Sequence, residues 1–446
     1  MFYKKLIVIG LPIVLRNTLS SFNGFIDNFM VGMLGSDAIS SVSIINQILF
    51  IFVTTFSGTN AIAGLYTTQY FGIKDYSSVK NVLLIRIIIS LSLLLLFTVL
   101  IYFTYDYLIN LFMTKGDYDT KRNIFNTCNE YFLLSFLSLI PFTFTQIFTS
   151  TINESGSTSW PMILCLIATL TNIIFNYLLI DGNLGFPKLG LLGASLATFI
   201  SRFVELLFVI AIRSRFAFLR NILNGLRLDY QLLRSIIVKV IPIFFNEFLF
   251  SFSFLVIAQL YSFQSIDNIV IMSITNTVVV FFMNLLISIG YSSEILIGHQ
   301  LGQCNFTLAY SYARKALLFG FFIGIILTPI IIIISYYFPN LYNINIELAN
   351  NITKCIQAFA LNFYLLSISV IIFYILRSGG KILLLSILDS GYFWLLVIPC
   401  QFMLIKFTNL KIFEIYFIIH LLNLVKCIIG IYFIKKKTWI NSLVNK

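Results

Sequence analysis

Residues 8–33 read VIGLPIVLRNTLSSFNGFIDNFMVGM, an apolar run long enough to cross a bilayer. The polar residues in it recur every three or four positions, so they share one face of a helix. They are Arg16, Asn17, Ser20, Ser21, Asn23, Asp27 and Asn28. An ionised carboxylate such as Asp27 costs roughly a few kcal/mol or more in hydrocarbon unless it is paired or hydrated. The stretch therefore predicts a membrane-spanning helix with a functional acid.

The remainder of the chain has the same apolar character. Its 446 residues are 59% hydrophobic and 10% charged, with a mean hydropathy of +0.96, and the surface of a water-soluble protein needs more charge than that. Helix is the state expected for apolar runs in lipid, which offers backbone groups no partner. We predict an all-α polytopic membrane protein with about twelve transmembrane helices. The apolar windows lie near 8–33, 39–68, 82–108, 126–150, 160–180, 190–212, 236–261, 269–298, 315–337, 352–376, 382–405 and 412–434.

The net charge of +12 reflects where the lysines and arginines lie. With the N-terminus inside, eighteen of them fall in cytoplasmic segments and seven on the other side, so both termini are predicted to be cytoplasmic. This bias explains the charge without nucleic acid as a partner. The N-terminal run shows no small-residue cleavage site, so we interpret it as the first span.

The chain lacks the signatures of an enzyme. Its six cysteines are far apart and form no CxxC pair or metal-ligand spacing, which predicts neither a disulfide framework nor a metal cluster. We find no clustered nucleophile, no catalytic residue and no nucleotide-binding loop. We therefore predict a protein without a cofactor that is driven by an ion gradient, with Na⁺ or H⁺ as the coupling ion.

A basic stretch divides the chain at its midpoint. We predict an N-lobe over 1–212 with spans 1 to 6, a cytoplasmic linker over 213–235, and a C-lobe over 236–446 with spans 7 to 12. Sliding one half over the other at a constant shift of 230 aligns uncommon residues without a gap. These pairs are Pro12 with Pro242, Asp37 with Asp267, Asn46 with Asn276 and Gly72 with Gly302. An even number of spans separates equivalent positions, which indicates two parallel-related six-helix bundles.

Further polar residues lie within the spans. Asn172 and Asn176 stand one turn apart, Arg202 and Glu205 are spaced to pair within one helix, and Glu294 lies near the end of its span, where it could reach the interface. Polar stripes in the second and eighth spans suggest a shared central cavity. As candidates for contact with substrate or a second cation, we select two membrane acids and three amides. They are Glu247, Asp389, Asn276, Asn284 and Gln47.

These motifs together resemble the multidrug and toxic compound extrusion (MATE) family, in one of its bacterial branches, from end to end of the chain. In the first half they are Pro12, DNFMVG at 27–32, GSDA at 35–38 and GFPKLGLLGASLAT at 185–198. In the second half they are Pro242, Asn246, Glu247, RSGG at 377–380, Asp389, Trp394, Pro399 and KTWIN at 437–441.

The resemblance implies two six-helix bundles arranged as a V in a bacterial inner membrane. It implies a monomeric antiporter that expels small organic, often cationic, substrates in exchange for Na⁺ or H⁺. It also implies a cation site at Asp27, Asn172, Asn176 and Thr198, with Asp27 as the charged ligand and a candidate for Na⁺. Some relatives have Asp where this chain has Asn176, so the site here would carry one negative charge fewer.

Two other functions remain open from the sequence. A lipid-linked oligosaccharide flippase of the same superfamily would share the repeated bundle, but such flippases often have two further spans and a more basic cavity. A channel or scaffold belongs to another class and would show no counterflow. The acids Asp27, Glu247 and Asp389 favour a cationic substrate.

Overall fold

The computed structural model describes residues 2–34, 36–112, 118–220, 228–265, 267–342 and 345–444. Within these ranges, twelve helical segments are long and apolar enough to cross a membrane, as predicted. Several begin or end a few residues outside their apolar windows, because helical hydrogen bonding extends into the flanking polar residues. The basic linker falls partly outside the described residues, at 221–227, as do the side chains of Asp37 and Asp267.

The helices follow one another along the chain. They are α1 (Phe2–Gly32), α2 (Ser36–Gly72), α3 (Tyr76–Phe112), α4 (Tyr118–Leu137), α5 (Leu139–Glu154), α6 (Ser159–Ile180), α7 (Gly190–Ile212), α8 (Tyr230–Ser262), α9 (Asp267–Gly302), α10 (Phe306–Tyr337), α11 (Ile346–Ser378), α12 (Ile382–Ser386), α13 (Ile398–Phe407), α14 (Ile412–Leu421) and α15 (Asn423–Lys435).

Prolines account for two interruptions. The fourth span consists of α4 and α5, which meet at Ser138, and Pro141 has no N–H to donate to the carbonyl of Leu137. In the eleventh span, α12 and α13 are separated by two π-helical segments, Ile387–Gly391 and Phe393–Val397. Pro399 follows them and removes the donor for the carbonyl of Leu395, which favours the wider turn there.

The described chain forms two compact units. Unit 1 comprises Met1–Val14, Thr68–Lys74 and Ile237–Lys446, and unit 2 comprises Leu15–Thr67 and Asp75–Ile236. The first, second and seventh spans therefore contribute to both units. Most of unit 1 comes from the second half of the sequence, and most of unit 2 comes from the first half.

In unit 1, the ends of α2 and α9 approach each other through glycines. A Cβ at Gly72 would collide with the backbone carbonyl of His299, and a Cβ at Gly302 would collide with that of Gln69. The two contacts are equivalent at the shift of 230 that relates the halves, because 72 corresponds to 302 and 69 to 299. The absence of a side chain is thus required twice, at equivalent positions.

The C-terminal tail packs at the same place. Gln69 is fully buried, and its side-chain amide donates to the carbonyl of Ser378 at 3.2 Å while its carbonyl oxygen accepts from the N–H of Leu443 at 2.6 Å. Trp439 is also fully buried and donates its indole N–H to the carbonyl of Ile434. One glutamine therefore joins the second span, the tenth span and the tail.

Each unit contains a buried ion pair. In unit 2, Arg86 donates from Nη2 to Glu154 Oε1 at 2.7 Å, with side-chain exposures of 0% and 3%. In unit 1, Arg377 donates from Nε to Glu294 Oε1 at 2.9 Å and from Nη2 to the second oxygen. The expectation that Glu294 could reach the interface is wrong, since its side chain is buried against this guanidinium.

Asp75 caps the N-terminus of α3 outside the spans. Its Oδ1 accepts the backbone N–H groups of Ser77 and Ser78, both at 3.1 Å, and the two serine hydroxyls donate to its carboxylate at 2.6 Å. Partial burial raises the pKa of Asp75, but these hydrogen bonds outweigh it and hold the pKa below its ordinary value.

We expect Asp75→Ala to lower the free energy of unfolding by about 1 kcal/mol at neutral pH, because α3 loses its cap. The folded-state pKa is depressed, so the contribution is present above the ordinary value of 3.8 and is lost as pH falls through the lower folded value. Thermal unfolding of purified protein at several pH values measures this. Asp75→Asn, which keeps an accepting oxygen, should retain most of the stability, and a pH-independent deficit in Asp75→Ala would contradict the account.

We expect Gln69→Leu to destabilise the protein by about 1–3 kcal/mol, since the N–H of Leu443 and the carbonyl of Ser378 lose their buried partner. Gln47→Leu is the matched control, because Gln47 lies on the same helix with an exposed side chain. Thermal unfolding in detergent compares the two variants. Equal stability of both would show that the tail does not depend on Gln69.

Candidate functional site

The four side chains predicted as a cation site lie together in unit 2. Asn176 donates its amide to Asp27 Oδ1 at 2.5 Å and to Asn172 Oδ1 at 3.1 Å. Asn172 in turn donates to Thr198 Oγ1 at 3.4 Å. A continuous hydrogen-bonded chain therefore runs from the carboxylate on α1, through two asparagines on α6, to a hydroxyl on α7.

Local sequence sets this geometry. The spacing of four residues places Asn172 and Asn176 on one face of α6, and both side chains are buried. A Cβ at Gly193 would lie 2.5 Å from the carbonyl oxygen of Leu179, so glycine allows α7 to approach α6 closely. That approach brings Thr198, just over one turn further along α7, within reach of Asn172.

A cavity of about 160 Å³ adjoins this chain of hydrogen bonds. Asp27 and Thr198 line it, together with the aromatic ring of Tyr131 from α4 and the amide of Asn46 from α2. The other lining residues are Gly24, Asn28, Val31, Val42 and Ala194. Sequence reasoning used Asn46 in the repeat but missed both it and Tyr131 as site residues.

Two buried amide oxygens at the site have no hydrogen-bond donor among the described residues. Asn23 donates its amide to Asp27 Oδ2 at 3.3 Å, which leaves Asn23 Oδ1 without a donor, and Asn176 Oδ1 is in the same situation. Buried acceptors are rarely left unmatched unless a ligand, ion or water uses them. Carboxylate, amide and hydroxyl oxygens are the ligands that hard cations prefer, so the residues present fit a small cation.

Charge near the site comes from Arg202 as well. Arg202 and Glu205 pair within α7 at 3.2 Å, as predicted, and the guanidinium lies 5.3 Å from the ring centre of Phe142. Arg202 stands one turn beyond Thr198 on α7, so its positive charge lies near the site while the guanidinium is held by Glu205.

Unit 1 contains the acids predicted for the second half. Asp389 lies in the first π-helical segment and accepts from Lys426 Nζ at 3.1 Å. Glu247, on α8, is partly buried and makes no hydrogen bond or ion pair with the described residues. The sequence places Lys426 within a span, where a lysine needs a counter-charge. Sequence spacing does not identify the acid that pairs with it, because the acid comes from another helix.

The three candidate amides occupy different environments. Gln47 is exposed and donates to Ser43 Oγ at 3.4 Å, and it does not line the cavity beside Asp27. Asn276 is exposed and Asn284 partly buried, both on α9 in unit 1. A role for these three residues stays a prediction.

Comparison with known proteins places the chain among transporters. The MatE family model matches residues 12–178 and 242–403. A protein of Bacillus subtilis (strain 168), named "Probable multidrug resistance protein YoeA", is 23% identical over 412 residues, which cover 91% of this chain and 87% of that protein. "Probable multidrug resistance protein NorM" of Bacillus licheniformis is 23% identical over 97% of this chain and 95% of that protein.

Solved structures share the fold. One, described as the outward-facing conformation of a multidrug resistance MATE family transporter, superposes with a TM-score of 0.88 at 15% sequence identity and covers 99% of this chain and 97% of that one. Another, described as MATE in the bent conformation, gives the same TM-score at 15% identity and covers 98% of this chain and 95% of that one.

We expect Asn176→Asp to make stability depend strongly on cations, because it places a second carboxylate against Asp27. Two unit charges about 4 Å apart repel by about 4 kcal/mol at an effective dielectric constant near 20. A bound Na⁺ or proton relieves this repulsion, so the melting temperature of the variant should rise with NaCl or with acid more steeply than that of the wild type. Choline chloride at equal ionic strength separates binding from screening.

Asn126→Asp is the matched control, since it makes the same change at an exposed position of unit 2 that does not line the cavity. If Asn176→Asp responds to Na⁺ and acid no more than this control does, the arrangement of oxygens around Asp27 does not hold a cation.

Proposed function

The chain belongs to the MATE family of multidrug efflux transporters, and on that premise we propose that it is a secondary antiporter that exports organic cations in exchange for Na⁺ or H⁺. The observation that carries the proposal is the hydrogen-bonded chain from Asp27 to Thr198 beside a cavity. The family accounts for a small-molecule substrate, and the site supports a coupling ion.

The N-terminal site suits a monovalent cation. Asp27 supplies one negative charge, and the unmatched oxygens of Asn23 and Asn176 supply neutral ligands. With Asn176 in place of the aspartate of some relatives, one charge balances one Na⁺, or one proton on Asp27. We therefore propose an exchange of one coupling cation per cycle at this site.

Coupling follows if ion and substrate exclude each other. A cation on Asp27 changes the packing of α1. If the substrate favours a different packing of this helix, the ion and the substrate each lower the affinity of the protein for the other. Pro12 lies in α1 and has no N–H to donate to the carbonyl of Val8, which makes the helix easier to bend there. The part of α1 before residue 15 belongs to unit 1 and the part after it to unit 2, so a bend there would act on both units.

We propose Glu247, Asp389, Asn276, Asn284 and Gln47 as residues that meet the substrate or a second cation. We also propose that the units correspond to lobes built on 1–212 and 236–446, joined by a cytoplasmic linker at 213–235. In this arrangement the transporter is a monomer in the bacterial inner membrane, and both termini are cytoplasmic.

We expect Asp27→Asn to reduce gradient-driven export of a fluorescent organic cation by about tenfold or more, because the coupling charge is lost. Proteoliposomes with separately imposed Na⁺ and pH gradients measure this. Asp181→Asn is the matched control, since Asp181 is exposed at the end of α6, and it should export like the wild type.

Each alternative function has its own outcome. Export by Asp27→Asn equal to that of the control would remove the coupling role of Asp27. Movement of a lipid-linked oligosaccharide without transport of organic cations would indicate a flippase. Flux without substrate-stimulated counterflow would indicate a channel.

A further inference from the structure

The ion pair between the eleventh and twelfth spans has no place in the coupling scheme above. Lys426 Nζ lies 3.1 Å from Asp389 Oδ1, and the two side chains are only 10% and 12% exposed. The ammonium also lies 5.5 Å from the ring centre of Tyr392. Lys426 is therefore buried within unit 1 against Asp389, an acid for which the sequence alone predicts contact with substrate or a second cation.

The backbone around Asp389 is specialised as well. The π-helical segment Ile387–Gly391 holds the acid, and such turns in membrane and soluble helices are frequent at functional sites. One hydrogen bond joins each π-helical segment to α8. Asn246 Oδ1 accepts the N–H of Ser390 in the first segment at 3.4 Å, and Trp394 in the second, Phe393–Val397, donates its indole N–H to the carbonyl of Leu249 at 3.0 Å.

Buried polar groups beside the pair are unmatched. Asn246 is 1% exposed, and its Nδ2 has no hydrogen-bond partner within the described residues; the hydroxyl of Tyr392 has none either. Asn246 directly precedes Glu247. A donor held ready in this position, next to an acid, indicates room for a ligand or water among these groups.

The charges of unit 1 can be counted. Away from helix ends, the described spans of this unit carry three acids, of which Glu294 is held by Arg377 and Asp389 by Lys426. Glu247 is left without an ion-pair partner among the described residues. Asn246, which adjoins Glu247, accepts the N–H of Ser390, which adjoins Asp389, so the two acids flank the same contact between helices. Without Lys426, two unpaired carboxylates would lie beside that contact.

We propose that Lys426 is a built-in counter-cation that occupies Asp389, so that unit 1 meets the substrate with one unbalanced acid and favours organic compounds with a single positive charge. The inference rests on the proposed export of cations and adds a residue that determines charge selectivity. It replaces the role proposed above for Asp389, which here pairs with Lys426 and leaves Glu247 as the acid that meets the substrate. Removal of the ammonium frees Asp389, and a second fixed charge on the substrate would then gain a partner.

A pair of phenanthridinium dyes tests this directly. Ethidium has one fixed positive charge, and propidium carries an added quaternary ammonium group on the same fluorophore. Equilibrium binding to purified protein in nanodiscs gives the ratio of the two dissociation constants without need of coupled transport. We expect wild type to prefer ethidium, and Lys426→Met to shift the ratio toward propidium by about fivefold to tenfold, since one added close charge pair contributes roughly this much when partly hydrated.

The control variants separate charge from packing. Lys426→Arg keeps the positive charge and should keep the wild-type ratio. In Lys426→Met combined with Asp389→Asn both charges are gone, and the ratio should return toward the wild-type value, whereas a purely structural role would leave it displaced. If Lys426→Met does not fold, two other variants still test the role of Lys426. They are the double variant and Glu247→Gln, and we expect Glu247→Gln to weaken ethidium binding about tenfold.

The outcomes distinguish the two proposals. If wild type binds neither dye, the cationic substrate and the charge count both fail. If wild type binds ethidium but Lys426→Met leaves the ratio unchanged, or Glu247→Gln binds ethidium as wild type does, the role of Lys426 is wrong and export of cations is unaffected.

Discussion

Hydrocarbon offers a polar group no hydrogen-bond partner, so every charge or amide inside the bilayer must be matched by the protein, by water or by a ligand. The helices of this transporter satisfy their own backbone, and most buried side chains satisfy one another. Arg86 and Glu154 are an example, since neither is exposed and each neutralises the other. Against this background, the groups that are not matched stand out as places where something else binds.

The environment of Asp27 shows how such a place is built. Its carboxylate accepts hydrogen bonds from the amides of Asn23 and Asn176, which orient it, yet the oxygens of those two amides meet no donor in the part of the chain that the structure describes. The site is therefore rich in acceptors and poor in donors, the composition expected for a cation. The close approach of α6 and α7 at Gly193 brings the hydroxyl of Thr198 to the site. The glycine that lets these helices pack closely is therefore also needed to assemble the oxygens of the site.

Much of this could be predicted from the sequence, and the limit is physical. Hydropathy located the spans because lipid acts on each segment independently, and the spacing of Asn172 and Asn176 is a property of one helix. Partners from distant helices are another matter. The pairing of Glu294 with Arg377 and of Asp389 with Lys426, and the position of Tyr131 in the cavity, depend on how helices pack, which periodicity does not encode. The π-helical segments were signalled by no more than Pro399.

The two buried arginine–glutamate pairs do not occupy equivalent positions in the two halves of the chain. Glu154 aligns with Arg377 through the Glu-Ser-Gly and Arg-Ser-Gly turns, and Gly64 aligns with Glu294 at the shift of 230. The sign of the charge has been exchanged at one position, and the partner has moved to a different helix. A fourth span transplanted into the place of the tenth would set glutamate against glutamate. The two halves keep uncommon residues in register, but each buries its own pattern of charges, so a span of one half could not replace its counterpart in the other.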